Sequence, residues 1–126
     1  MLAGAFIGAE RQKNQKLAGV KTHALVALGA CLFTILGIHF GQGQEGARVV
    51  GQVASGVGFL GAGAIIKDGL DVRGLTTAAT IWCAAAVGCL SGAGMFKLVA
   101  FGAVLIVVGT IMLRKFSKQL FPESEE

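Results

Sequence analysis

Apolar residues in this chain come in long unbroken runs, separated by short clusters of charge. Thr22–Gln44, Val49–Ile66 and Gly74–Phe96 hold 23, 18 and 23 residues without one Asp, Glu, Lys or Arg, and Leu98–Leu113 holds 16. A helix needs about 20 mostly apolar residues to cross roughly 30 Å of hydrocarbon. The first three runs meet that length, and the fourth is marginal. Strands of a membrane barrel would alternate in polarity over about 10 residues, and these runs do not. The pattern predicts an all-α polytopic transmembrane helical bundle of four spans. Ahead of them, Met1–Ala9 is apolar but would make a helix only about 13.5 Å long. A secretory signal is a poor reading, because its positive charges precede the apolar run and here they follow it. The segment is expected to be the inner half of a truncated first helix, as a late start codon or a fragmentary reading frame would leave. The transmembrane domain is placed at residues 1–114, with a short tail at 115–126.

Composition agrees with the pattern. Charged residues are 14% of the chain, against about a quarter in soluble domains, and the mean hydropathy is +0.72. The charges that remain are unevenly placed. Taking the connections alternately, one side collects nine bases: Arg11, Lys13, Lys16, Lys21, Lys67, Arg73, Arg114, Lys115 and Lys118. The other holds Arg48 and Lys97. Basic loops stay in the cytoplasm, so the N-terminus is expected outside and the C-terminus inside. This bias accounts for the pI of 9.3. Nucleic acid is not expected as a partner, because the bases follow the membrane ends and no reading element accompanies them.

The 20 glycines give the second signal, since small residues mark where membrane helices touch. The third segment carries Gly51, Ser55, Gly58 and Ala62 at steps of 4, 3 and 4, one small-residue face. His23, Ala27, Ala30, Thr34 and Gly37 form a similar stripe on the second, and Thr77, Ala84, Gly88 and Gly92 on the fourth. Gly56, Gly58 and Gly61 satisfy the G-x-G-x-x-G dinucleotide pattern, with Asp71 downstream. That fingerprint needs a strand before it and a helix after it, whereas these residues lie inside an apolar span. They are read, with Gly63, as helix-contact glycines. Cys31, Cys83 and Cys89 are odd in number, show no C-x-x-C spacing, and behave as small hydrophobes. The cysteines indicate no metal site, and no nucleophile and base stand together, so no enzyme or cofactor is expected.

Four blocks are more specific: Gly8-Ala9-Glu10-Arg11, Gly19 to Gly29, Gln52 to Gly63, and Val72 to Trp82. On these the chain resembles the MgtC/SapB family of bacterial membrane proteins, from Gly4 to about Arg114. It departs from the family in its incomplete first helix and in stopping at Glu126, without the small cytosolic C-terminal domain of some members. The resemblance implies an inner-membrane protein tied to growth at low magnesium and, in pathogens, to virulence through survival inside host cells. It leaves two modes of action open, an ion transporter or transport accessory, and a regulator of another membrane protein.

Residue chemistry weighs between them. Ion pathways place ionisable groups within the membrane, and Mg²⁺ takes one or two carboxylates plus retained waters. Outside the tail, the carboxylates Glu10, Glu45, Asp68 and Asp71 all lie at span ends or in loops. A non-enzymatic regulator acting by helix contact on another membrane protein (a transporter or ATPase) is therefore preferred over Mg²⁺ transport. Besides that partner, the lipid bilayer and a second copy of the chain are expected contacts. A polar, partner-contacting layer is expected on the cytoplasmic side. It comprises Glu10 and Arg11, then Lys21, Thr22 and His23, then Asp68 and Asp71, then Arg73, Thr76 and Thr77, with Glu10 and Arg73 as an ion pair. Within the membrane, Gln52, Ser55, Thr80 and Trp82 are the polar groups that need partners.

Overall fold

A computed structural model describes residues 1–41 and 45–120. Five helices follow one another: α1 (Leu2–Lys13), α2 (Val20–Phe40), α3 (Glu45–Gly63), α4 (Leu75–Gly92) and α5 (Phe96–Leu120). Between α3 and α4 lies a small antiparallel hairpin, β1 (Ile66–Asp68) and β2 (Asp71–Arg73), with Asp68 facing Asp71. The hairpin is not anticipated by the apolar runs, because Ile65 and Ile66 extend the third one past the helix. Its signal was the Asp68-Gly69 pair, a turn dipeptide, and Gly69 has a φ of +61°.

The helices α2 and α4 pack against each other at the centre. Both α1 and α3 lean on this pair, and α5 lies across α4 and α1. On α2 the buried residues are His23, Ala27, Ala30, Thr34 and Gly37, one face at helical spacing. Facing them, α4 buries Thr77, Ile81, Ala84 and Gly88. A Cβ added at Gly88 would fall against the carbonyl oxygen of Ala27, and one at Gly4 against that of His23. Only glycine lets these backbones touch, which is how membrane helices gain van der Waals contact without a hydrophobic drive. Gly74 closes the hairpin with a φ of +88°, where a side chain would also strike the Ala64 carbonyl.

Three helices, α2, α4 and α5, are long and apolar enough to cross a membrane. The expected count of four spans is thus reduced by one. The marginal fourth run becomes α5, whose 25 residues include the flanking Phe96 and the start of the basic tail. By contrast α3 has the length, at 19 residues, but its glycines, Gln52, Ser55 and Arg48 dilute its apolar character. At 12 residues α1 spans about 18 Å. Of the predicted tail, residues 115–120 continue α5. The rest of it, the end of the second apolar run at 42–44 and the side chain of Glu45 lie outside the described residues.

The small-residue face expected on α3 is not the face that packs. Gly51, Ser55, Gly58 and Ala62 are all exposed. A Cβ on Gly51, Gly56, Gly58 or Gly63 would meet nothing within 4 Å. The packed side is instead Val53, Val57, Gly61 and Ala64, with Gly61 in ordinary contact with Ala78. Steps of 4 and 3 identify one face of a helix, and Val53, Val57 and Ala64 share that periodicity with the glycines. The larger apolar side chains took the core.

Candidate functional site

A polar cluster closes one end of the bundle, where α1 ends, α2 and α4 begin, and α5 ends. Gly8 brings the elements together, because a Cβ there would come within 2.7 Å of the Gly19 carbonyl oxygen. Two residues on, Glu10 is mostly buried with three partners. Its carboxylate accepts a hydrogen bond from Asn14 Nδ2 at 2.7 Å. It also lies 3.9 Å from Arg11 Nη1 and 3.8 Å from Arg114 Nη1. Arg11 is 2% exposed, and its Nη2 donates to Thr77 Oγ1 at 3.3 Å.

One turn deeper, His23 is fully buried and joins α2 to α4. Its Nδ1 lies 2.9 Å from the Gly19 carbonyl oxygen, which only accepts, so Nδ1 carries a proton. Its Nε2 lies 3.1 Å from Thr80 Oγ1, and that hydroxyl is also 3.0 Å from the Thr77 carbonyl oxygen. The single Thr80 proton therefore has two acceptors when the imidazole is neutral. Running through Arg11, Thr77, Thr80 and His23, the network ties three helices at one level, and buried polar groups so paired specify one packing.

Of the residues expected in the polar layer, the structure brings together Glu10, Arg11, His23 and Thr77, with Thr80 from the intramembrane set. Thr76 is half-buried beside them at the start of α4. Lys21 and Thr22 are exposed on the first turn of α2. Asp68, Asp71 and Arg73 are exposed on the hairpin and do not join the cluster. The expected Glu10–Arg73 pair is accordingly corrected: Arg11 and Arg114 stand beside Glu10. Gly74 caps α4 in the left-handed conformation, and the hairpin residues before it, Arg73 among them, are exposed. Sequence reasoning missed Asn14 and Arg114. The i, i+4 spacing of Glu10 and Asn14 was a usable signal. For Arg114 there was none, since only the packing of α5 on α1 brings it to Glu10.

Of the polar groups expected within the membrane, Gln52 and Ser55 are exposed on α3 and Trp82 is exposed on α4. An open groove of about 580 Å³ separates α2 from α3, lined by Leu25, Gly29, Phe33, Gln52, Gly56 and Leu60. Cys31, Cys83 and Cys89 are free thiols. Gly56, Gly58 and Gly61 lie within α3. Among the described residues, no three of His, Cys, Asp and Glu are grouped as a metal site.

Three long apolar helices, a largely exposed apolar α5 among them, and a polar cluster at one end define a polytopic helical membrane protein. The family model for the MgtC family matches residues 1–119, and the chain belongs to that family. It is 46% identical to Protein MgtC of Salmonella typhimurium over 120 residues, 95% of this chain and 52% of that protein. It is 48% identical to Protein MgtC of Brucella abortus over 113 residues, 90% of this chain and 48% of that one. An uncharacterized protein of Synechocystis is 46% identical over 114 residues, 90% of this chain and 49% of it. The chain thus spans about half the length of these relatives. No solved structure matches it.

Proposed function

We propose that this chain forms the membrane domain of a bacterial inner-membrane regulator that supports growth when magnesium is scarce. In pathogens the same role extends to survival inside the host. It acts without chemistry, by contact with another membrane protein such as a transporter or ATPase. The polar end, with its nine bases, faces the cytoplasm. The observation that carries this reading is the setting of Glu10. Its carboxylate sits between two guanidinium groups and an amide donor. A hydrated Mg²⁺ approaching it would meet positive charge first, and would have to displace three partners to gain one ligand. Such a carboxylate serves to fix helix ends rather than to pass a divalent cation.

Two measurements test the proposal together. Purification from native membranes is expected to bring down a transporter or ATPase. Glu10→Gln is expected to impair growth at limiting magnesium, with membrane abundance checked in parallel. Mg²⁺ uptake by the purified protein in liposomes, abolished by Glu10→Gln at unchanged abundance, would show a transporter and overturn it.

A further inference from the structure

The groove between α2 and α3 is a wedge with one closed end. Near the end of α2 the two helices touch: a Cβ on Gly37 would come within 2.7 Å of Val49, and one on Gly46 would meet Ile38 at 3.5 Å. Toward the polar end of the bundle α3 leaves α2 for α4, where Gly61 contacts Ala78. Between these contacts the helices part and leave about 580 Å³ open. The floor is the apolar core, at Val26, Ala30, Val53 and Val57. Gly29 and Gly56 line it from opposite walls, and a Cβ on either would meet nothing within 4 Å. The lining is apolar but for Gln52.

Depth decides what can fill this space. The helix α2 is long and apolar enough to cross a membrane, and it starts at Val20. At 1.5 Å per residue, Leu25 and Phe33 on the wall of the groove lie about 7.5 and 20 Å beyond that start. Hydrocarbon, and not water, surrounds a span at that depth. The wedge opens toward the polar end, so a chain enters it from that leaflet and leaves its headgroup at the mouth. Lys21 stands there, one turn before Leu25 on the same side of α2. It is exposed and has no hydrogen bond or ion pair with any described residue.

We infer that the groove binds one acyl chain of an anionic phospholipid, whose phosphate pairs with Lys21. The acyl chain makes the van der Waals contacts with the floor that no side chain of the protein supplies. The lysine sets the headgroup, because a base at the membrane surface attracts anionic lipid and gains nothing from a zwitterionic one.

The test uses the full chain, reconstituted in equal amounts of phosphatidylglycerol and phosphatidylcholine and then returned to mild detergent. Its native mass spectrum is expected to show a single retained phosphatidylglycerol. Gly29→Leu and Gly56→Leu fill the groove from either wall, and each is expected to remove that lipid. In lipid-free detergent both should melt with the unaltered protein, because a Cβ at either position meets open space. Lys21→Ala is expected to lower retention about fivefold and to erase the preference for phosphatidylglycerol. No retained lipid in the unaltered protein would overturn the inference. So would equal retention of phosphatidylcholine, or undiminished retention in the two glycine variants. None of these readouts depends on magnesium or on a partner protein, so the lipid site and the regulatory role fail separately.

Discussion

His23 shows how much one side chain holds at the polar end. Its two ring nitrogens bridge the start of α2, at the Gly19 carbonyl, to the Thr80 hydroxyl of α4. Removing a buried group that satisfies others costs about 1–3 kcal/mol for each partner left bare. We expect His23→Ala to lower stability by roughly 3 kcal/mol, counting lost packing as well. Thr80→Val keeps the shape but removes the hydroxyl, and should cost about 1–2 kcal/mol. Unfolding in mixed micelles, followed by circular dichroism, measures both. A smaller loss for His23→Ala than for Thr80→Val would mean that the histidine does not organise the cluster. The residue types in this network were legible from the chain, since His23, Thr77 and Arg11 stand at span edges. The pairing of Glu10 with Arg114 was not. Arg114 lies more than a hundred positions away, and proximity between such residues is a property of packing alone.

At the scale of helices, the contact between α2 and α4 is set by glycine. Gly88 presses on the Ala27 carbonyl and Gly92 on that of Cys31, so their backbones approach without side chains between them. Gly88→Leu should drive the helices apart and cost at least about 3 kcal/mol, because overpacking against backbone cannot relax by a rotamer change. Loss of the folded species on size-exclusion chromatography, at unchanged expression, is the expected result. A well-folded Gly88→Leu protein would show that α2 and α4 pack elsewhere. The stripes on these two helices were readable, because the small residues spaced at 3 and 4 are the ones that pack. On α3 a face with larger apolar residues shares that spacing, and the choice lay with Val53 and Val57, which gain more by burial than glycine can.

For the whole molecule, the helix order places the α1–α2 connection, the hairpin and the end of α5 together, and the turn before Lys97 at the opposite end. Combined with the charge bias, this predicts sidedness. In a protein without native cysteines, Lys97→Cys should react with an impermeant thiol reagent in intact cells, and Lys67→Cys only after lysis. The reverse result would invert the orientation. Both positions are exposed, so a lack of labelling reports the membrane and not the fold.

The linear order of apolar runs and charges was enough to establish a helical membrane bundle, its basic end and the stripes of α2 and α4. These follow from local rules: the length needed to cross hydrocarbon, the bias of bases, and the 3.6-residue period. The hairpin, the helix α5 beyond its charge-free run, and the pairing of Glu10 with Arg114 required the folded molecule. So did the outward turn of the α3 glycines. Each of these turns on which of several similar surfaces meets a neighbour. That choice is made by the sum of contacts across five helices, and no window of sequence contains it.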